Sequence, residues 1–219
     1  MSRGAIIVAG SLAQRPGYGG HAWVFLQYLL GFRRLGFDVL FLDWLDGKMC
    51  RDRAGQPCGI EDSWNVEYLA DVMAQAGLSG ARSVNYDQGA RTLGVAREAV
   101  LEKAKNAALL LNVMGFLADW EIVALPRRRA FLDIDPGFGQ MWQEFGLATV
   151  FSGHDAYVTI GENIGQPGCT IPTGGIHWRK TRPPIVLDRC RTIRRAPDPP
   201  PSMPRRRMAR TASRDCPAR

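Results

Sequence analysis

Two kinds of cysteine arrangement are missing from this sequence. It contains no Cys-x-x-Cys pair, and no histidine stands at the spacing from cysteine that zinc sites use. The five cysteines, at positions 50, 58, 169, 190 and 216, are an odd number, which argues against a framework of disulfide bonds. A reducing compartment is therefore expected. We predict a cytoplasmic protein with no metal and no other cofactor.

Long apolar stretches are also missing. The longest, residues 22–32, contains Gln27 and is followed by Arg33 and Arg34. It is shorter than the roughly 20 apolar residues that a membrane-spanning helix needs. The stretch 5–9 near the amino end is too short for the apolar region of a secretory signal, and no small-residue cleavage site follows it. The sequence therefore predicts neither a membrane span nor a secretion signal.

Excess charge is confined to the carboxyl end. Residues 190–219 contain nine arginines and two aspartates, and this difference of +7 equals the net charge of the whole chain. Residues 1–189 are therefore formally neutral. This neutrality removes the electrostatic argument for specific nucleic-acid binding by the folded part.

The segment 188–219 differs in composition from the rest of the chain. It contains six of the 14 prolines among its arginines and few large apolar side chains. Such a segment cannot bury enough surface to offset the entropy of ordering it, so we predict a disordered tail. One interpretation is an arm that touches RNA or makes weak peripheral contact with a membrane. The interpretation we favour is a shifted reading frame in a GC-rich gene, because the switch to Arg, Pro, Ala and Ser is abrupt.

Residues 1–187 have the pattern of one α/β domain. Continuous apolar runs predict buried strands, and apolar residues at helical spacing predict helices between them. The predicted strands are 5–9, 39–42, 82–86, 107–113, 129–134 and 157–160, and the predicted helices are 20–35, 64–76, 96–105 and 140–145. Residues 46–62 are expected to be irregular, and Ser63 is expected to cap the second helix. The fold class is a Rossmann-like open, mainly parallel sheet flanked by helices.

The loop after the first strand contains the glycine-rich turn Pro16-Gly17-Tyr18-Gly19-Gly20-His21. In open α/β sheets, ligands bind beyond the carboxyl ends of the strands. The glycines allow the backbone to approach a ligand, and the helix that follows presents unpaired N–H groups. His21 lies at the positive end of this helix, which disfavours its charged form and leaves it available as a base. Alternatively, His21 is a partly buried polar residue that closes the loop.

Two generic nucleotide-binding signatures bear on this turn. The glycines at 17 and 19 with Ala22, and Asp43 at the end of the next strand, formally satisfy the dinucleotide fingerprint. That fingerprint needs its glycines directly after the strand, whereas the predicted strand ends near Ala9. A P-loop is excluded because no Gly-Lys-Ser or Gly-Lys-Thr is present.

Further polar residues follow the later strands. Asp133 and Asp135 are expected on one face at a strand end, where they could share a divalent cation. The interpretation we favour is that one of them caps the turn Asp135-Pro136-Gly137. Gly115 is expected to open the turn after the strand 107–113.

The stretch 20–41 resembles the amino-terminal signature of GT-B glycosyltransferases. In that family, Gly-His follows the first strand, an amphipathic helix comes next, and Gly-His-x-Val-x-Phe enters the second strand. Here Gly20-His21 and Gly36-Phe37-Asp38-Val39-Leu40-Phe41 stand at those positions, with Phe37 in place of the second histidine. The likeness extends over about 185 residues, through Ile160–Gly165 and the segment 172–184.

The resemblance implies an acceptor-binding domain that faces a second, donor-binding domain across a cleft. It implies that His21 deprotonates an acceptor hydroxyl and that a carboxylate, assigned to Asp119, assists it. The predicted binding residues are Gly17, Tyr18, Gly19, Gly20, Gly115, Asp133 and Asp135. The partner is a small-molecule or glycan acceptor, and a nucleotide-sugar binds only if a second domain or subunit is supplied.

The tail supplies no second α/β domain. The expected identity is therefore the acceptor-side half of a glycosyltransferase, inactive alone. One alternative is a complete nucleotide- or dinucleotide-binding enzyme. How close the first strand runs to Gly17 discriminates this alternative, because the dinucleotide fingerprint needs its glycines directly after the strand. Another is a non-catalytic binding subunit that uses the basic tail.

Overall fold

The fold is built on one eight-stranded sheet, seen in a computed structural model that describes residues 3–189. In chain order the strands are β1 (Ala5–Ala9), β2 (Asp38–Leu45), β3 (Arg82–Tyr86), β4 (Arg91–Gly94), β5 (Ala107–Val113), β6 (Arg129–Asp133), β7 (Ala156–Thr159) and β8 (Trp178–Lys180). They lie in the order β4-β3-β2-β1-β5-β6-β7-β8, and all neighbours are parallel except β3 and β4. This arrangement confirms the predicted Rossmann-like α/β fold. From residue 190 onward, the predicted disordered tail lies outside the described residues.

Helices cover both faces of the sheet. They are α1 (Gly19–Arg34), α2 (Trp64–Gln75), α3 (Arg97–Lys105), α4 (Trp120–Val123) and α5 (Phe138–Glu144). On one face, buried residues of α1 and α2 pack against Ile6, Val8 and Phe41. On the other, α3 and α4 pack against Ile7 and Leu40. Both faces of the central strands are therefore buried, as their continuous apolar sequences predict.

The first helix follows its sequence pattern closely. Its buried residues are spaced three and four apart, as one face of a helix requires, and are Ala22, Phe25, Leu26, Leu29 and Leu30. The helix ends before Gly36, which has a φ of +88°, a conformation that glycine adopts without strain. Phe37 then folds back, with its ring 6.4 Å from that of Phe32. The apolar spacing and the glycine together set the length of α1.

Several elements differ from the sequence prediction. The second strand continues beyond Asp43 to Leu45, so Asp43 lies inside the strand. Ser63 precedes α2 but does not cap it with its side chain, because its Oγ lies 3.2 Å from Asn65 Oδ1 and donates to it. The short elements β4, α4 and β8 were not predicted. Trp178 is a buried residue of β8 that packs with Phe131 and Phe151.

The described residues through Val186 form one compact unit, and those from Leu187 onward fall outside it. Within the described range, none of the helices has the length and apolar character needed to cross a membrane.

Candidate functional site

Three loops with predicted site residues leave the carboxyl ends of parallel strands. They follow β1, β5 and β6 at residues 10–18, 114–119 and 134–137. The strand order reverses between β1 and β5, since β2 lies on one side of β1 and β5 on the other. Such a reversal opens a crevice at this edge of the sheet, where ligands of open α/β folds bind. The fold therefore places these loops at the edge that the sequence predicted.

The loop after β1 is fastened at Ala13 by two buried side chains. Asp43 accepts a hydrogen bond of 2.7 Å from the Ala13 N–H, and the Asn65 amide donates one of 2.8 Å to the Ala13 carbonyl. Gln14 donates to the Trp44 carbonyl at 3.1 Å. Strand β2 and helix α2 thus fix the conformation of the loop before it reaches the glycines.

Asp43 is a fully buried carboxyl group. Burial raises its pKa to about 8, although hydrogen bonds from the backbone N–H groups of Ala13, Trp44 and Leu12 act in the opposite direction. Its oxygens are used by this backbone, so it is not free for a ribose hydroxyl as the dinucleotide fingerprint requires. Gly17 also lies eight residues after the last residue of β1, Ala9. Both observations disfavour the dinucleotide alternative.

The glycines of the turn have different roles. Gly17 has a φ of +81°, and a Cβ added there would lie 2.8 Å from Trp64 Cη2. At Gly19 and Gly20 an added Cβ would meet no atom within 4 Å. No side chain caps the start of α1, and Tyr18 beside it is 67% exposed. Gly17 is therefore required by the fold, whereas Gly19 and Gly20 leave the helix N-terminus open to a ligand.

His21 is half-buried at the start of α1, with its ring 5.0 Å from that of Phe25. Its Nε2 lies 3.0 Å from the Ser11 carbonyl oxygen and 3.3 Å from Ser11 Oγ. A carbonyl oxygen only accepts, so Nε2 carries the proton and Nδ1 keeps its lone pair in the neutral ring. Burial lowers the pKa of His21, and Arg15 lowers it further, while the hydrogen bond to Ser11 raises it. The ring is therefore held neutral, with Nδ1 as the basic atom.

Asp119 lies at the cap position of α4 and does not hydrogen bond with His21. Instead, its Oδ2 accepts a hydrogen bond of 2.7 Å from Arg97, which also pairs with Glu121 at 2.5 Å. These carboxylates raise the pKa of Arg97 further above its usual range. The pairing of His21 with Asp119 implied by the resemblance is thus not formed, because each side chain has another partner. The group that orients His21 is Ser11.

Asp133 and Asp135 do not form a shared site. Asp133 is buried at the end of β6, where one carboxylate oxygen accepts from Gln140 at 2.7 Å and from Thr159 at 2.8 Å. Its other oxygen accepts from the Asp135 N–H at 3.1 Å. Asp135 itself is exposed in the turn. Asp133 is the aspartate that caps this turn, in agreement with the favoured interpretation. Both of its oxygens accept hydrogen bonds from the protein, so neither faces a ligand.

The largest cavity described at this edge has a volume of about 580 Å³. Trp44, Asn85 and Gln88 line one side, and Gly115 and Phe116 line the other. Gln88 and Met114, which precedes Gly115, have left-handed backbones with φ of 57° and 53°. Strained residues of this kind cluster at binding sites. The volume suits a small organic ligand.

The charge inside this cavity is balanced. Arg97 and Asp119 both line it, and they form an ion pair with each other. The remaining polar side chains of the lining, Asn85 and Gln88, are neutral amides. The cavity therefore favours a neutral ligand with an apolar or ring-shaped face.

The predicted residues do not all line one crevice. Gly115 and Asp119 line the cavity above, whereas Gly20 lines a second groove of about 210 Å³ with Trp23, Ile134 and Pro183. Among residues 3–189, no group of three or more His, Cys, Asp and Glu side chains is placed to hold a metal ion. Sequence reasoning missed Ser11, Trp44, Asn85 and Gln88. The latter three could have been found by examining the carboxyl end of every predicted strand, whereas nothing in the sequence singles out Ser11.

A second histidine of this region has a structural role. The Asn112 amide donates to His154 Nε2 at 3.1 Å, so the proton of the neutral ring is on Nδ1, 3.3 Å from the Phe151 carbonyl oxygen. Asn112 also exchanges two hydrogen bonds of 3.0 Å with the backbone of Leu117. Both ring nitrogens are used, and burial lowers the pKa of His154. These contacts fix the loop after β5 rather than provide a base.

A comparison with models of known protein families finds no match to this chain, and a search of curated protein sequences finds none either.

Proposed function

We propose that this chain is the acceptor side of a GT-B glycosyltransferase, with the nucleotide-sugar held by a second α/β unit. The observation that carries the proposal is the state of His21. Its Nε2–H is donated to the Ser11 carbonyl, so its basic Nδ1 is left beside an uncapped helix N-terminus. A neutral imidazole at the carboxyl edge of an open α/β sheet is suited to general base catalysis.

In the proposed reaction, His21 Nδ1 takes the proton of an acceptor hydroxyl. The hydroxyl oxygen then forms a bond to the anomeric carbon of the donor sugar, and the bond from that carbon to the nucleotide breaks. The lowered pKa keeps the ring neutral and Nδ1 unprotonated near neutral pH, as a general base must be. The Ser11 carbonyl fixes the tautomer and the ring orientation, a role that a carboxylate has in many catalytic dyads.

The cavity of about 580 Å³ supports an acceptor of a particular kind. Trp44 and Phe116 offer apolar surfaces, and Asn85 and Gln88 offer amide donors and acceptors. Since the ion pair of Arg97 and Asp119 balances its charge, the cavity favours an uncharged acceptor such as a neutral sugar ring or a phenol. In this proposal the acceptor body binds here, against the ends of β2 and β3 and the loops after β3 and β5. Its reacting hydroxyl extends toward His21 at the start of α1, which follows the strand between β2 and β5.

Binding by the purified chain tests this proposal without the donor side. A panel of neutral glycosides and phenols is titrated into isotope-labelled protein and followed by NMR, with nucleotide-sugars and NAD as comparison ligands. We expect an uncharged acceptor to bind, and Trp44→Ala to weaken its binding about tenfold or more. Trp142→Ala, which changes an exposed tryptophan of α5, is the matched control and should leave binding unchanged.

Turnover is the second part of the test. The chain alone, supplied with that acceptor and a nucleotide-sugar, should form no glycoside, because in this proposal a second α/β unit binds the nucleotide-sugar. Glycoside formation by this chain alone would refute its assignment as one half. Binding of NAD or a nucleotide without any acceptor would refute the glycosyltransferase proposal itself and favour a nucleotide-binding enzyme.

A further inference from the structure

The irregular segment between β2 and α2 brings two cysteines opposite each other. Arg51 and Pro57 form an antiparallel bridge. On one side of it the Asp52 N–H donates to the Gln56 carbonyl at 2.9 Å, and on the other the Cys58 N–H donates to the Cys50 carbonyl at 3.4 Å. This register makes Cys50 and Cys58 direct cross-strand neighbours.

Cross-strand neighbours have the spacing that a disulfide needs. Opposite residues joined by a backbone hydrogen bond have Cα atoms about 5.5 Å apart, with side chains on the same face. Disulfides span Cα separations of roughly 4.4 to 6.8 Å. Cys50 is buried and Cys58 is half-buried, and both are free thiols in the structure. We propose that Cys50 and Cys58 form a reversible disulfide that closes the loop 51–57, independently of the proposed function.

The reaction is thiol–disulfide exchange with a small disulfide such as oxidised glutathione. The more accessible Cys58 thiolate attacks one sulfur of the reagent, forming a mixed disulfide and releasing one glutathione thiolate. The Cys50 thiolate then attacks Cys58 Sγ and expels the second glutathione. Two protein thiols are oxidised, one glutathione disulfide is reduced to two thiols, and the two thiol protons go to solvent or to the released glutathione.

The disulfide would act on the loop that carries the glycine-rich turn. Ser63 Oγ donates to Asn65 Oδ1 at 3.2 Å. Asn65 also accepts from the Arg51 N–H at 2.9 Å and donates to the Ala13 carbonyl. The disulfide would constrain the backbone beside Arg51, and from Arg51 hydrogen bonds run through Asn65 to the loop after β1.

Peptide mapping of the full chain tests the proposal. The protein is incubated with oxidised glutathione, free thiols are blocked, and tryptic peptides are analysed without reduction. The expected product is the peptide 49–51 joined to the peptide 54–82, with a mass loss of about 2 Da for two hydrogens. Dithiothreitol should restore both free peptides. Backbone amide signals of Ala13 should shift between the two forms in NMR spectra.

Single substitutions distinguish a pair from two separate thiols. In Cys50→Ser, we expect Cys58 to stop at the mixed disulfide with glutathione, and in Cys58→Ser we expect buried Cys50 to stay unmodified. Cys169→Ser is the control and should leave the joined peptides in place. Wild-type protein in which Cys58 carries only glutathione, or in which either cysteine pairs elsewhere, would overturn the proposal.

Discussion

Replacing Asp43 by asparagine exchanges a buried, hydrogen-bonded carboxyl group that titrates for a neutral amide of nearly the same shape. Asp43 accepts hydrogen bonds from the Ala13 N–H at 2.7 Å and the Trp44 N–H at 2.8 Å. The amide introduced by this substitution would retain one accepting oxygen and place an NH₂ group against the other N–H. An unpaired buried donor costs about 1–3 kcal/mol. Asp43→Asn should therefore be less stable than the wild type in mildly acidic solution, where the wild-type carboxyl is protonated, by an amount no larger than this.

The difference in unfolding free energy between the wild type and Asp43→Asn should depend on pH. The pKa of Asp43 is raised from 3.8 to about 8 by burial, so between these pH values the unfolded state binds fewer protons than the native state. The native carboxyl then contributes stability that is fully present below pH 3.8 and lost as the pH rises to about 8. The loss amounts to about 1.4 kcal/mol per pH unit inside this window. Asp43→Asn has no such group, so it lacks this decline.

Urea denaturation of both proteins at several pH values measures the effect. The free energy of unfolding of the wild type minus that of Asp43→Asn should fall by roughly 3 kcal/mol between about pH 5 and about pH 7. Contributions of the other titrating groups cancel in this difference. Parallel curves over that range would refute the reasoning, because they would mean that Asp43 is ionised in the native state.

Two further predictions concern the turn and the ion pair. Gly17→Ala should destabilise the protein by about 1–3 kcal/mol in urea denaturation, because φ is positive and the new methyl would clash with Trp64, whereas Gly19→Ala should have little effect. Equal effects of the two substitutions would contradict the difference in their surroundings. Arg97→Leu should lower the melting temperature by leaving a partly buried carboxylate unpaired, while Arg53→Leu, which breaks an exposed pair, should not. Similar melting temperatures for Arg97→Leu and Arg53→Leu would contradict the greater importance of the partly buried ion pair.

Strong local patterns predicted most of the sheet and its helices. The bounds of β1 and β5 agree with the prediction because their largely apolar runs leave little choice. The bounds of β3 agree as well, although its sequence Arg-Ser-Val-Asn-Tyr is mostly polar. Short elements carry too few residues for a period to show. Strand β8 has three residues, and two of them, Arg179 and Lys180, are charged. Their strand conformation comes from pairing with β7, a contact made only in the folded chain.

The site was predicted less fully than the fold. The open helix N-terminus and the position of His21 follow from the glycine-rich turn, which is a local signal. The partner of His21 does not, because Ser11 lies ten residues earlier and offers its carbonyl, which every residue has. The structural roles of Asp43 and Asp133 depend on N–H and hydroxyl groups that tertiary contacts bring to them. The sequence alone could not distinguish these buried carboxyls from ligand-facing ones.

The double fastening of Ala13 has a consequence for affinity. Its N–H and its carbonyl are both held by side chains of other elements, so the path of the chain toward Gly17 is pre-organised when the protein folds. Immobilising a mobile loop on binding would cost about 1–2 kcal/mol for each residue ordered. Here that entropy is already lost in the free protein. Selectivity among ligands at this edge should then arise from their contacts alone, with no contribution from how well each one orders the loop.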